Sequence, residues 1–368
     1  MRAVVVSALV VAACGAASAS RAPRVGLTAD TALPPSAGLH VERNRLVDRG
    51  AVVRLLGVNH AGTEYACVKG TGIFDGPRAD VLARTVGAWH ANTIRLPLNE
   101  HCWLGVRGID PRFSGDEYRA AIARFVRDLR AHGLYVVLDL HWAAPSEVAA
   151  DNQLPMADAE YATDFWKSVA TIFANDAGVL FDVFNEPFLD TALCTNGHGA
   201  SVDSWACLRD GCTVTVQDGA LTYKTAGTQS LVDAVRGTGA RNVILVGGLS
   251  YSSDLSRWLE HAPRDPLGQI AASVHLYNFS GCTDDECFSR RFDAVAASVP
   301  LVAGEIGEND CGHKFVDDYM TWADRTGVSY LGWVWNPWDC KKGPALIANW
   351  DGTPTEYGEG LRRHLARR

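Results

Sequence analysis

The sequence has fewer basic than acidic residues and lacks the features of several protein classes. Its formal net charge is −8, and the body of the chain contains no run of Lys or Arg. Because nucleic-acid-binding domains are usually basic, no nucleic-acid partner is expected. Beyond the N-terminus, no apolar run is long enough to span a membrane, so no membrane-spanning segment is predicted.

Short motifs that would indicate other chemistries are also missing. The first predicted strand ends at residues 57–60, which read Gly-Val-Asn-His and lack the G-x-G-x-x-G of a dinucleotide-binding sheet. Residues 248–251 read Gly-Leu-Ser-Tyr and lack the final glycine of the G-x-S-x-G motif of serine esterases. No Cys-x-x-Cys pair with a nearby His indicates zinc. The sequence therefore predicts neither a metal site nor an organic cofactor.

The N-terminus has the features of an export signal. A charged Met1-Arg2 precedes an apolar stretch, residues 3–13, that is too short to span a bilayer, and residues 17–19 form an Ala-Ser-Ala cleavage site. This pattern predicts a signal peptide over residues 1–19, a flexible linker over residues 20–39 and secretion. Residues 11–14 also resemble a bacterial lipoprotein signal, and a lipid anchor on Cys14 at the cell surface is the alternative.

Ten cysteines in an exported chain indicate disulfide bonds. Nine remain beyond Cys14, so one thiol is expected to be free. Close spacing, or position in loops after successive strands, predicts four bonds: Cys282–Cys287, one pair among Cys194, Cys207 and Cys212, Cys67–Cys102, and Cys311–Cys340.

Apolar runs alternate with amphipathic stretches over residues 40–368. Continuous apolar runs are typical of parallel strands that are buried on both faces. The predicted strands are Val52–Val58, Thr93–Pro97, Leu134–Leu140, Val179–Phe184, Asn242–Gly247, Ile270–Leu276, Pro300–Gly304 and Val328–Trp333. Eight strand–helix units predict a single α/β domain, a closed (β/α)8 TIM barrel with long disulfide-braced loops at its C-terminal face. An open doubly wound sheet is the alternative.

Two of the predicted strands end in a glutamate. Glu186 follows the buried run Val179–Phe184, and Glu305 follows Pro300–Gly304. Active residues of such barrels come from the C-terminal ends of the strands. A carboxylate at the end of a buried strand is costly unless it is paired or used. Because two facing carboxyl groups are what glycoside hydrolysis requires, the sequence favours a glycosidase.

The other strand ends are polar or aromatic as well. Solvated ends would more often carry Lys, Ser and Asp than His, Trp, Tyr and Arg. The loop after the fourth strand, residues 189–225, is long and contains three cysteines, and we expect it to wall the binding cleft. The remaining candidates are Asn59, His60, Arg95, Asn99, Glu100, Asp139, His141, Trp142, Asn185, His275, Tyr277, Trp333, Trp335 and Trp338.

Together these motifs resemble glycoside hydrolase family 5, the cellulase family of retaining (β/α)8 glycosidases. The similarity runs from about residue 40 to the end. It rests on Arg95 in Ile94–Pro97, His141 in Asp139–Trp142, the tripeptide Asn185–Pro187, His275–Tyr277, Glu305 in Gly304–Gly307, and one Trp of Gly332–Trp335. The resemblance implies a secreted endo-β-1,4-glucanase that acts by double displacement.

The resemblance also implies the roles of the site residues. Glu186 would be the acid/base and Glu305 the nucleophile. Arg95 would lie near Glu305, Tyr277 would donate a hydrogen bond to Glu305, and His275 would bond Glu186. Asn185 would bond the sugar 2-hydroxyl, and His141 would contact the same sugar.

Tryptophan rings cover the apolar faces of pyranoses and are expected in the cleft. Trp335 is preferred to Trp333 at the cleavage site. Further candidates for stacking are Trp142, Trp103 and Trp338, whereas Trp89, Trp166 and Trp258 fall in helical stripes and are predicted to be core.

Several alternatives stay open at this stage. The same family includes β-mannanases, other β-glucanases and glycolipid-directed glycosidases, and the sequence does not choose among them. A catalytically inactive sugar-binding protein would be expected to have lost a glutamate, and both are present. A monomer that binds a β-linked polysaccharide or oligosaccharide is the expectation.

Overall fold

The computed structural model describes residues 38–367, apart from the side chain of Gln217. The predicted signal peptide over residues 1–19, which includes Cys14, lies outside the described residues, as does the predicted linker up to residue 37. Across the part of the chain that is described, no helix is long and apolar enough to cross a membrane.

Strands and helices alternate along the described residues. The strands are β1 (His40–Glu42), β2 (Arg45–Asp48), β3 (Ala51–Val53), β4 (Leu56–Asn59), β5 (Thr93–Asn99), β6 (Tyr135–Trp142), β7 (Val179–Asp182), β8 (Cys194–Thr195), β9 (Thr213–Val216), β10 (Leu221–Lys224), β11 (Ile244–Val246), β12 (Ile270–Tyr277), β13 (Leu301–Gly307) and β14 (Ser329–Gly332). The helices are α1 (Ala79–Gly87), α2 (Glu100–Leu104), α3 (Gly115–Ala131), α4 (Ala162–Phe173), α5 (Ser204–Asp210), α6 (Gly227–Gly237), α7 (Trp258–His261), α8 (Asp285–Ser298), α9 (Lys314–Thr326) and α10 (Glu356–Leu365). A 3-10 turn covers Gln217–Gly219.

Eight parallel strands close into a barrel, which confirms the predicted fold. The order is β4-β5-β6-β7-β11-β12-β13-β14, and β14 pairs with β4 to complete the circle. The short strands β1–β3 form an antiparallel sheet of their own, and β8–β10 form another. The C-terminal ends of the eight barrel strands therefore meet at one mouth of the barrel.

The predicted first strand, Val52–Val58, is in fact two strands. Val52 belongs to β3 and is exposed, whereas the barrel strand β4 begins at Leu56. The break comes at Arg54, which lies between the two strands and forms an ion pair with Asp324 at 2.7 Å. An apolar run alone does not reveal this break, because both halves of it favour strand.

The helix between β11 and β12, α7, is only four residues long. Residues Ser250, Tyr251 and Ser252 before it adopt left-handed backbone conformations, with φ of 52°, 58° and 57°. Such conformations are unfavourable for residues other than glycine, and they send the chain through a tight turn after β11. The turn brings Leu249 and Asp254 together in an isolated bridge, so a helix cannot begin before it.

The buried apolar side chains form two clusters. The larger cluster fills the space between the barrel and its surrounding helices. The smaller one lies at the N-terminal end of the barrel, where Leu39 and Leu46 pack with Val137, Leu180 and Leu331 from the strands. The barrel is thus closed by apolar side chains at this end, and its polar groups are concentrated at the opposite mouth.

Four disulfides brace the loops, and all four predictions are confirmed. They join Cys67 to Cys102, Cys207 to Cys212, Cys282 to Cys287 and Cys311 to Cys340. The first and last of these bonds link loops that follow neighbouring barrel strands, at the C-terminal mouth. Among the cysteines of residues 38–367, Cys194 is the one outside a disulfide, and it is buried.

Candidate active site

The C-terminal mouth of the barrel opens into a cleft of about 660 Å³. Strands on opposite sides of the barrel supply its floor. The residues that line it include His141, Asn185, Glu186, His275, Tyr277, Glu305 and Trp333, together with Gln153, Tyr251 and Phe279 from loops.

Glu186 and Glu305 face each other across the floor of this cleft. One carboxylate oxygen of Glu186, one of Glu305 and a ring nitrogen of His275 all lie within 4.8 Å of one another. Retaining glycosidases hold their two carboxyl groups about 5–5.5 Å apart, whereas inverting enzymes need about 6.5–9.5 Å to admit a water molecule. The observed separation fits the retaining arrangement.

Glu305 is held by donors from barrel strands. Nη1 of Arg95 donates to Oε1 at 2.8 Å, and the hydroxyl of Tyr277 donates to Oε2. Nδ1 of His275 lies 3.6 Å from Oε2. Glu305 is 3% exposed, and a buried carboxylate is stable only when such partners balance the loss of water.

Arg95 is the fully buried cation beneath the cleft. Nε pairs with Asp182 at 3.0 Å and Nη2 with Asp139 at 3.1 Å, in addition to the Nη1 bond to Glu305. Burial by itself would lower the pKa of Arg95, but the three carboxylates outweigh it and raise the pKa above its usual range. The guanidinium therefore stays charged, as a fixed countercharge for the nucleophile candidate.

The same guanidinium orients two amides. Nη2 of Arg95 donates to Oδ1 of Asn185 at 2.8 Å, and Nη1 donates to Oδ1 of Asn59 at 3.0 Å. Asn59 in turn donates to the carbonyl of Gly304 at 2.9 Å. Because Oδ1 of Asn185 is occupied, its Nδ2 group is the end left for a ligand in the cleft.

Glu186 has neutral partners. Nδ1 of His275 lies 2.9 Å from Oε1 and forms one hydrogen bond with it, and Nε2 of Gln153 donates to Oε2 at 3.2 Å. Burial lowers the pKa of His275 to about 4, so this ring is neutral near neutral pH. Burial also raises the pKa of Glu186 above its ordinary value. A carboxyl group in this setting keeps its proton to higher pH, as an acid catalyst must.

His141 lies on the opposite wall with a carboxylate behind it. Nδ1 bonds Oδ2 of Asp139 at 2.6 Å, and the ring stacks on Trp333 with centroids 5.5 Å apart. Burial alone would lower the pKa of His141, but the negative charge of Asp139, then those of Glu64 and Glu305, raise it. The Asp139 bond fixes the ring with Nε2 toward the cleft.

The preference for Trp335 over Trp333 is wrong. Trp335 is fully buried and packs edge-to-face on Trp89, with centroids 4.5 Å apart. Its backbone N–H donates to the carbonyl of Asn59 at 2.7 Å, which draws this residue into the barrel wall. Trp333 instead lines the cleft beside His141. Gly332-Trp333-Val334-Trp335 contains two similar rings, and local sequence does not reveal which one faces the cleft.

Other predicted aromatic contacts also require correction. Trp103 is fully buried between Tyr118 and Phe165 and is a core residue. Trp142 is half-buried against the main apolar cluster, and neither it nor Trp338 is among the residues that line the cleft. The prediction that Trp89, Trp166 and Trp258 are core is confirmed.

The loop over residues 189–225 does not wall the cleft, contrary to expectation. None of its residues is among those that line the cleft. Trp205, Leu208, Leu221 and Tyr223 of this loop are buried and join the main apolar cluster, which holds the loop against the outside of the barrel. The walls come from Gln153 and from the turns that carry Tyr251 and Phe279.

These three wall residues were missed by sequence reasoning. Tyr251 and Phe279 come a few residues after β11 and β12, so extending each strand end by a few positions would have found them. Their side chains are 53% and 63% exposed. No sequence pattern pointed to Gln153.

Comparisons with known proteins agree with this geometry. The model of the cellulase family, glycosyl hydrolase family 5, matches residues 53–339. A mannan endo-1,4-beta-mannosidase of Streptomyces lividans is 25% identical, covering 84% of this chain and 69% of its own length. Endoglucanase 1 of Saitozyma flava is also 25% identical, covering 72% of this chain and 74% of its own.

A solved structure matches the barrel as a whole. The β-glucanase SdGluc5_26A of Saccharophagus degradans, in complex with cellotetraose, matches with a TM-score of 0.66 at 23% identity. It covers 90% of this chain and 93% of its own. With the family model spanning most of the sequence, the chain belongs to glycosyl hydrolase family 5, the cellulase family, and is a glycoside hydrolase.

Proposed function

We propose that the protein is a retaining endo-β-1,4-glucanase in which Glu186 is the acid/base and Glu305 the nucleophile. The observation that carries this proposal is the pair of carboxyl groups within 4.8 Å, one with charged and hydroxyl donors and the other with neutral partners. Relatives named as endoglucanases support the substrate class. We further propose that residues 40–368 form the catalytic domain of a secreted chain, and four disulfides support an oxidising location.

The first chemical step forms a glycosyl-enzyme ester. An oxygen of Glu305 attacks the anomeric carbon as the glycosidic C–O bond breaks, and Glu186 gives its proton to the leaving oxygen. Arg95 and Tyr277 each bond one oxygen of Glu305, so the carboxylate is held in a fixed direction until it reacts. Glu186 is then a carboxylate beside His275.

The second step reverses these roles. Glu186 takes a proton from a water molecule, the water oxygen attacks the anomeric carbon, and the ester bond to Glu305 breaks. Glu186 is protonated again and Glu305 is again a carboxylate. Retention of the anomeric configuration follows from the two displacements.

Groups around the two glutamates would hold the sugar. Asn185 has its oxygen fixed by Arg95, so its Nδ2 group is available to a 2-hydroxyl. His141 and Trp333 offer a polar edge and an apolar face to the sugar at the cleavage point. The exposed rings of Tyr251 and Phe279 extend the cleft along a chain of several sugars, which favours a polymer over a short glycoside.

The alternative substrate is a β-1,4-mannan. A relative named as a mannan endo-1,4-beta-mannosidase, with 25% identity over most of this chain, favours it. Glucose and mannose differ in the orientation of the 2-hydroxyl, so Asn185 and its neighbours would decide between them. The chemistry of the two glutamates is the same in both cases.

A product assay of the mature chain tests the proposal. Soluble β-1,4-glucan, mixed-linkage β-glucan, β-mannan and xylan would be offered to the wild type and to Glu305→Gln. We expect oligosaccharides from β-1,4-glucan with the wild type alone. Release from mannan alone would move the substrate to mannan. Inactivity on all four polymers would contradict an endo-acting polysaccharidase, and full activity of Glu305→Gln would contradict the nucleophile.

A further inference from the structure

Gln153 is the one loop residue that contacts both the side chain and the backbone of Glu186 in the described structure. Its Nε2 group donates to Oε2 of Glu186 at 3.2 Å and to the carbonyl of Glu186 at 2.8 Å. Gln153 lies in the segment between β6 and α4, residues 143–161, and its side chain lines the cleft. It therefore touches the proposed acid/base from a different part of the chain than the barrel strands do.

We propose that Gln153 is a positioning residue for Glu186, which fixes the orientation of its carboxyl group and limits how tightly that group holds its proton. The proposal rests on the acid/base role proposed above for Glu186. His275 holds Oε1 and Gln153 holds Oε2, so two donors from different elements leave the carboxyl plane little freedom. An acid that must alternate between giving and taking a proton gains from such a fixed direction.

The amide also acts on the proton affinity of Glu186. An N–H donor stabilises a carboxylate more than a neutral carboxyl group, so Gln153 opposes the effect of burial. Burial raises the pKa of Glu186, and the hydrogen bond from Gln153 lowers it again. The other titratable and charged groups that surround Glu186 are Arg95 from β5, Asp139 and His141 from β6, His275 and Tyr277 from β12, and Glu305 from β13.

Gln153 can do this because hydrogen bonds from the end of β5 and the start of α2 hold its segment in place. Asn99 Nδ2 donates to the carbonyl of Ala150 at 2.6 Å, and His101 Nε2 donates to the carbonyl of Ala144 at 2.7 Å. Nδ1 of His101 accepts from the N–H of Ala150 at 3.2 Å, which one neutral tautomer satisfies together with the other bond. Glu100 accepts from the N–H of Ala144 at 3.2 Å.

The three consecutive residues Asn99, Glu100 and His101 are fully buried. Sequence analysis placed Asn99 and Glu100 among the site candidates because they follow a barrel strand. In the structure they do not line the cleft, and their side chains bond the segment that carries Gln153. Their position at the strand end thus serves the site through Gln153.

The test compares Gln153→Met with a matched control, Gln229→Met. Methionine keeps the length of glutamine and removes the donor. Gln229 lies on α6, away from the cleft, and bonds Asp233 and the carbonyl of Arg264. The pH dependence of kcat/KM is measured on the polymer that the wild type cleaves, and the melting temperature of each variant shows whether it folds.

We expect the alkaline limb of kcat/KM to move up by about 0.5–1 pH unit in Gln153→Met, since a lost donor destabilises the carboxylate of Glu186. We expect kcat/KM at the optimum to fall about 3–10-fold. Gln229→Met should match the wild type. Gln153→Glu keeps the shape of the side chain but adds a negative charge, so its alkaline limb should move further than that of Gln153→Met. This variant replaces Gln153→Met in the test if the Met variant does not fold.

Two results distinguish a failure of the inference about Gln153 from a failure of the proposed function. An unchanged alkaline limb in both Gln153 variants, with Glu186→Ala inactive on polymer, would overturn the role of Gln153 and leave the proposed function intact. Normal turnover of Glu186→Ala would overturn the proposed function itself, and the inference with it. A fall in activity without a shift of the limb would mean that Gln153 has a structural role alone.

Discussion

The two glutamates of the cleft share their residue type and their position at a strand end, but they differ in their hydrogen-bond partners. The partners of Glu305 are a permanently charged guanidinium and a hydroxyl, both from barrel strands. The partners of Glu186 are a neutral imidazole and an amide, and the amide comes from a loop. The environment of each glutamate therefore assigns its role: Glu305 has a fixed cation beside it, and burial among neutral donors lets Glu186 carry a proton.

Removal of the Arg95 guanidinium, the cation beside Glu305, should have the largest effect of the changes proposed. Arg95→Met leaves Asp139, Asp182 and Glu305 together without a countercharge in the barrel interior. We expect the free energy of unfolding to fall by about 3–5 kcal/mol, because breaking a buried ion pair from one side leaves an uncompensated charge. Urea unfolding measures this, with the exposed Arg78→Met as control. A variant as stable as the wild type would contradict the account of Arg95.

Removal of the hydroxyl should have the next largest effect. Tyr277→Phe takes one donor from Glu305 and leaves Arg95 in place. A hydrogen bond to a charged group contributes about 1.5–3 kcal/mol, so kcat should fall about 10–100-fold. Tyr319→Phe is the matched control, since the hydroxyl of Tyr319 is buried without a hydrogen-bond partner among the described residues. Equal kcat values for the two variants would remove Tyr277 from the mechanism.

The pH dependence of kcat/KM should report the protonation of Glu186. The acid form is active in the first step and is present below its pKa, which burial raises above the ordinary value. On polymer, kcat/KM should therefore fall as pH rises through this pKa. An aryl glycoside with an activated leaving group needs no proton, so its kcat/KM should not show this fall. The same alkaline limb on both substrates would argue against Glu186 as the acid.

The smallest effect is expected at the wall of the cleft beside His141. Trp333→Ala removes the ring that stacks on His141 and should lower kcat/KM on polymer about 3–10-fold, in line with about 0.5–1.5 kcal/mol for an aromatic contact. Trp338→Ala removes a partly exposed ring that does not line the cleft. If the Trp338 variant lost more activity than the Trp333 variant, the assignment of the cleft wall would be wrong.

Sequence reasoning reached the strand-borne part of the site. Glu186, Glu305 and Arg95 were found because parallel strands of a barrel bring their C-terminal ends to one mouth, so a strand pattern becomes a spatial statement. The predicted contacts of Arg95 and Tyr277 with Glu305, and of His275 with Glu186, are present in the structure. The disulfides Cys67–Cys102 and Cys311–Cys340 followed because loops after neighbouring strands lie close together, and the other two followed from close spacing in the sequence.

The part carried by loops was not predictable in the same way. The direction of Trp333 depends on a backbone bond to Ile306 of β13, and that of Trp335 depends on a backbone bond to Asn59 of β4. The placement of Gln153 depends on hydrogen bonds from residues about fifty positions earlier. Neither leaves a periodic signal in the sequence. The loop over residues 189–225 was misjudged because its length suggested a function, whereas its buried apolar residues attach it to the outside of the barrel.

Azide rescue of Glu186→Ala and Glu305→Ala on an activated aryl glycoside tests most directly the different roles of the two glutamates. In Glu186→Ala the glycosyl-enzyme still forms, so azide should attack it in place of water and give the β-glycosyl azide. In Glu305→Ala azide should take the place of the missing carboxylate and give the α-glycosyl azide. These opposite products would agree with Glu186 as acid/base and Glu305 as nucleophile. The reverse pairing of products, or normal turnover of either variant without azide, would contradict the account.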